Sequence, residues 1–167
     1  MELDPSNAQP TKFLKMLCYL TIFGSIYMSF SSLSGLLNPE AVTQAMSKSL
    51  DEWQTIFEKS IQSAPGSEQK MDEILAEVHA ANTSGNMRDN SFFSLISNLL
   101  TLIGAWLMLR LRKAGFHFYL IGIIISVIAP LLVFGSDNFL GFSYAFFEGI
   151  LGAVFTLLYA LRIKYMH

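Results

Sequence analysis

A single cysteine among the 167 residues rules out an internal disulfide and any redox pair. Its neighbourhood, Met16-Leu17-Cys18-Tyr19, lacks the small residue that ordinarily precedes a lipidated bacterial cysteine, so Cys18 reads as a packing residue. Charge is scarce as well. Charged residues make up 14% of the chain against 52% hydrophobic ones, and the mean hydropathy is +0.43. A water-soluble domain distributes its apolar residues as periodic stripes, whereas here they come in blocks. Signs of catalysis are missing too. There is no nucleophile with a base at useful spacing, no glycine-rich phosphate loop and no paired catalytic carboxylate. The three histidines, His79, His117 and His167, have no Cys or carboxylate at ligand spacing. The chain is therefore expected to be non-enzymatic, with no cofactor, no metal and no nucleic-acid partner.

What is present is four long apolar runs. Residues 1–11 form a polar tail with two prolines. The first span covers 12–37, entered through Lys12 and Lys15. Ser32-Leu33-Ser34 before Gly35 loosely resembles a signal-peptide cleavage site, but the run is long for a signal core and holds Tyr19, Tyr27 and several serines. A retained span is the expectation. The second span covers 91–109, the third 116–135 with Pro130 expected to kink it, and the fourth 139–161. A basic turn, 110–115, joins the second to the third, and 162–167 form the tail.

Between the first two spans, residues 38–90 are of a different character. Asn38-Pro39-Glu40 supplies a cap, a proline for the first helical position and an acid for the first turn. Val42, Met46, Leu50, Trp53, Phe57 and Ile61 then follow at helical spacing. Ala64-Pro65-Gly66 breaks that helix. A second one should start at Ser67, carry Met71, Ile74, Leu75 and Val78 on one face, and end near Asn82-Thr83-Ser84-Gly85-Asn86. The segment predicts an amphipathic helical hairpin whose apolar seams face each other, the bundle or a partner. Asn82-Thr83-Ser84 also matches a glycosylation sequon, a tripeptide common enough by chance to be discounted.

Charge orients the whole. Lys12, Lys15, Arg110, Arg112, Lys113, Arg162 and Lys164 fall on one side, with only Glu2 and Asp4 as acids. The hairpin side has Lys48, Lys59, Lys70 and Arg88 among many more acids. By the positive-inside rule both termini are cytoplasmic and the hairpin is extracytoplasmic. The fold class is thus an all-α membrane protein, a four-helix transmembrane bundle with an extracytoplasmic amphipathic hairpin between spans one and two.

The fourth span carries the features that suggest function. About 23 residues without Lys or Arg are enough to cross a hydrocarbon core roughly 30 Å thick. Gly141, Ala145, Gly149 and Ala153 recur every fourth residue, with Gly152 alongside, a stripe on which another helix can lie close. The other spans are expected to pack around this helix. Glu148 adjoins the stripe, and a carboxylate facing lipid costs about 3 kcal/mol, so it should face the bundle interior. At similar depth stand Ser29 and Ser32 on the first span, Ser97, Asn98 and Thr101 on the second, and Ser126 on the third. Together these predict an intramembrane polar site, serving either as helix-fixing hydrogen bonds or as a proton or ion site.

The stretch Leu109 to Gly122, LRLRKAGFHFYLIG, resembles small uncharacterised multi-pass proteins of bacterial inner membranes. The resemblance implies that location and no activity. Arg110, Arg112 and Lys113 are placed to meet lipid headgroups, and Trp53 and Phe57 to bind a partner outside. The leading expectation is an accessory or scaffold subunit, with the lipid bilayer and a protein partner or second copy as its surroundings. The alternatives are a small proton- or cation-coupled transporter using Glu148, and a membrane sensor with an extracytoplasmic hairpin.

Overall fold

The computed structural model describes residues 12–61 and 67–163, the side chains at 57–61 and 67–71 excepted. The expected tail at 1–11, the Ala64-Pro65-Gly66 break, Lys164, His167 and the side chains of Phe57, Ile61 and Met71 lie outside the described residues. Among the described residues all regular structure is helical. The helices are α1 (Lys12–Leu37), α2 (Pro39–Ile61), α3 (Ser67–Ala81), α4 (Ser84–Leu109), α5 (Ala114–Phe134) and α6 (Phe139–Ala160).

Four of these, α1, α4, α5 and α6, are long and apolar enough to cross a membrane, with 26, 26, 21 and 22 residues. At about 1.5 Å per residue they are about 31 to 39 Å long, sufficient for the hydrocarbon core. Four such helices in one short chain suggest an integral membrane protein.

Local chemistry explains the helix ends. The Asn38 side chain accepts from Ala41 N (3.3 Å) at the start of α2, where proline and acid were expected. Thr83, in extended conformation, accepts from Asn86 N (3.2 Å) and starts α4 at Ser84, seven residues ahead of the expected span. Gly85 and Asn86, read from sequence as part of a break, belong to the first turn of α4. The polar residues 84–90 extend the apolar helix beyond its membrane-spanning part. Asn138 accepts from Leu140 N (2.9 Å) to start α6, and donates to Glu77 O (3.1 Å) on α3. In the basic turn, Leu111 takes a left-handed conformation (φ 59°), tolerated because its side chain is buried against Met108 and its neighbours. Pro130 lies within α5, which continues to Phe134.

The centre of the bundle differs from the expectation. α4 and α5 form the central pair: α1 packs on α4, and α6 on α5. The reason is glycine. A Cβ on Gly104 would lie 2.6 Å from Tyr119 N, and one on Gly115 would lie 2.6 Å from Gly104 O. One on Gly122 would lie 2.9 Å from Ser97 O, so backbone meets backbone across this seam. α6 instead occupies one flank.

Two apolar clusters close the ends. At the basic end, Leu14, Leu17 and Cys18 pack with Met108, Leu111, Tyr119 and Tyr159. At the other end, Val78, Ala81, Met87, Phe134 and Leu140 pack with Val42, Met46, Leu50 and Ile74. α2 and α3 run antiparallel, since Asn82 Nδ2 donates to Thr43 O (3.0 Å) and Ser47 Oγ (2.9 Å). Their apolar seams therefore face each other and the end of the bundle.

Candidate functional site

Along most of their length α1 and α6 hardly touch. They are joined towards the basic end, where Tyr159 Oη and Thr21 Oγ1 share a hydrogen bond of 2.8 Å. The Tyr159 ring stands edge-on to Tyr119, centroids 5.0 Å apart, which ties α6 to α5 at the same level. Beyond this point the two outer helices leave a cleft of about 330 Å³ with α4 and α5 as its back wall.

All four spanning helices contribute to it. Leu20, Thr21, Gly24 and Ser25 come from α1, and Ser97, Asn98 and Thr101 from α4. Tyr119, Ile123 and Ser126 come from α5, and Glu148, Leu151, Gly152 and Phe155 from α6. The α6 set is spaced three, four and seven residues from Glu148, one helical face. Glu148 lies about 13 Å from the start of α6 and about 18 Å from its end, close to the middle of the span.

The hydroxyls are held in fixed directions. Ser97 Oγ donates to Gly122 O (2.8 Å) across the glycine seam, and Thr101 Oγ1 donates to Asn98 O (3.0 Å). Ser25 Oγ lies 2.9 Å from Thr101 Oγ1. Because the one Thr101 hydrogen already goes to Asn98 O, Ser25 is the donor of that pair. Ser126 Oγ lies 2.9 Å from Ile123 O and also beside the Glu148 carboxyl, so its single hydrogen serves either. Pro130 has no N–H, so the Ser126 carbonyl, four residues earlier, loses its ordinary helical donor.

Of the residues expected at the polar site, Glu148, Asn98, Ser97, Thr101 and Ser126 line this one cleft. Ser29 does not. Its Oγ is buried one turn farther along α1 with no hydrogen-bond partner among the described residues, and Ser32 bonds back to Met28 O (2.9 Å). The expectation that Glu148 faces the interior needs refinement. It points into the cleft but is exposed through the gap beside α1.

No protein-family model, curated protein or solved structure matches this chain.

The small-residue stripe of α6 divides in two. Gly141 and Ala145 are buried, a Cβ on Gly141 would lie 3.0 Å from Pro130 O, and Gly152 packs against Ile123. Among the described residues Gly149 meets only Val127, at ordinary contact distance, and Ala153 is exposed. Most of the stripe thus serves packing on α5.

Other expected sites are scattered. Arg110, Arg112 and Lys113 are exposed in the basic turn, Arg110 lying 5.2 Å over Trp106. Arg162, at the same end, lies 5.0 Å over Phe13. Trp53 is exposed on α2. His79 stands 3.8 Å from Asp51 across the hairpin, and His117 Nδ1 is 3.3 Å from Lys113 O.

Sequence reasoning missed Thr21, Ser25 and Tyr119 in the cleft, and Gly104, Gly115 and Gly122 behind it. The signal was available: Ser97, Thr101 and Gly104 on one span face Gly115, Tyr119 and Gly122 on the next, each at helical spacing.

Proposed function

We propose that this chain is a small integral membrane protein that handles a cation, carrying it through or past the Glu148 cleft. The observation behind this reading is convergence: one carboxylate near the middle of its span, with side chains from all four spanning helices around it. An ionisable group at that depth is costly and marks function by default. A role as helix-fixing glue has Ser126 as a hydrogen-bond partner to draw on, but it leaves the cleft and its apolar walls without use. The location proposed is a bacterial inner membrane with both termini cytoplasmic and the hairpin outside. Supporting it is the gathering of Lys12, Lys15, Arg110, Arg112, Lys113 and Arg162 at one end.

A second reading, the accessory subunit, draws on Ala153, the exposed member of the stripe, and on Gly149 beside it, half-buried against Val127 of α5. The sensor reading has less to stand on, since the apolar seam of the hairpin is already packed on the bundle.

One preparation separates these. Extracted from its native membrane in mild detergent, the protein should emerge as a monomer or homo-oligomer. Reconstituted into proteoliposomes, it should support proton or cation flux that falls at least tenfold in Glu148→Gln. A stoichiometric complex with a larger protein, together with flux indifferent to Glu148→Gln, would move the conclusion to the accessory subunit.

A further inference from the structure

We propose that the cleft is a binding site for an amphiphilic organic cation, one with a compact positive head and an apolar body, admitted sideways between α1 and α6. This rests on the cation-handling reading above and names the class of cation.

Sign comes first. Among the described residues Glu148 is the one charged residue lining the cleft, with no Lys, Arg or His beside it. Three of the neutral polar groups point the same way, while Asn98 and Tyr119, also in the lining, carry donors as well. Ser97, Thr101 and Ser25 direct their hydrogens to other protein oxygens, so towards the cleft they offer lone pairs. A lining of one carboxylate and several acceptor oxygens repels anions and favours a positive head.

Size and polarity select among cations. A proton requires a carboxyl and a path, not a cleft of about 330 Å³. That volume sits within the range of small-molecule sites, roughly 300–1,000 Å³. A bare metal ion of the hard class takes six or more oxygen ligands, and one carboxylate with scattered hydroxyls cannot replace its water. Leu20, Ile123, Leu151 and Phe155 would then be walls without use. An organic cation uses both parts, its head at Glu148 and its body against these walls.

The route follows from the gap. α1 and α6 are joined at Thr21–Tyr159 and otherwise hardly touch, while Glu148 is exposed between them. In a bilayer that gap faces the acyl chains. A molecule that partitions into lipid reaches the carboxylate without crossing the hairpin or the basic turn.

The test is equilibrium binding of phenyltrimethylammonium to the full chain in nanodiscs of zwitterionic lipid, with empty discs subtracted. Its uncharged carbon isostere, tert-butylbenzene, is measured alongside. Two variants attack different properties: Glu148→Gln removes the charge, and Gly24→Phe fills the cleft from α1. Among the described residues a Cβ at Gly24 meets nothing within 4 Å, so the backbone accepts the substitution. Helix content and melting temperature confirm that each variant is folded. Saturable binding of the cation is expected, at least tenfold weaker in both variants, with no saturable excess of tert-butylbenzene. No saturable binding to the folded wild type overturns the proposal, as does equal affinity in Glu148→Gln or equal binding of the isostere. Saturable, Glu148-dependent binding without any flux would uphold the site and remove the transport reading. Glu148-dependent proton flux without phenyltrimethylammonium binding would do the reverse.

Discussion

Tyr159 shows how one side chain positions the site. It is fully buried, it carries the hydrogen bond to Thr21 that joins α6 to α1, and its ring packs on Tyr119. Removing its hydroxyl should cost about 1 kcal/mol, the usual net value of such a bond. Tyr159→Phe is expected to lower the melting temperature in detergent by about 2–4 °C. The same variant should loosen the pairing of α1 with α6; an unchanged melting temperature would show that the bond holds nothing. At this scale the sequence was partly legible. Depth along each span was enough to group Glu148 with Asn98, Ser97, Thr101 and Ser126. It placed Ser29 a turn too near: Ser29 shares a face with Ser25 but stands about 6 Å farther along α1, and the α1 lining of the cleft stops at Ser25.

Helices illustrate a different limit. Capping chemistry is local, so the start of α2 at Asn38-Pro39-Glu40 could be read directly from sequence. The start of α4 could not, because apolarity marks where a helix enters lipid and not where it begins. Which helices meet is a further question. The conspicuous stripe on α6 drew attention to the wrong pair, whereas helix backbone comes up against helix backbone most tightly between α4 and α5 at Gly104, Gly115 and Gly122. One substitution made at two sites tests this. Gly115→Ala places a methyl 2.6 Å from Gly104 O and should prevent a stable fold, seen as aggregation or loss of a cooperative melt in detergent. Gly149→Ala meets only Val127, at 3.8 Å, and should melt within about 2 °C of the wild type. Equal tolerance of both would refute the central place given to α4 and α5.

The whole molecule is an incomplete ring. α4 and α5 form a tight spine, α1 and α6 flank it, and an apolar cluster closes each end. What remains open is the side between the flanking helices, with Glu148 inside it. The alternation of apolar runs with polar and basic turns made the four spans readable from sequence. The opening was not readable, since it depends on how far two helices distant in sequence diverge. The claim that Glu148 faces lipid through this gap is open to a direct chemical measurement. The protein in lipid nanodiscs is treated with the hydrophobic carbodiimide dicyclohexylcarbodiimide, which reaches carboxyl groups from the acyl layer, and adducts are located by mass spectrometry. Labelling is expected at Glu148, and excess phenyltrimethylammonium should suppress it. A folded protein whose Glu148 stays unlabelled under these conditions would contradict the account, because its carboxyl would be sealed from the membrane.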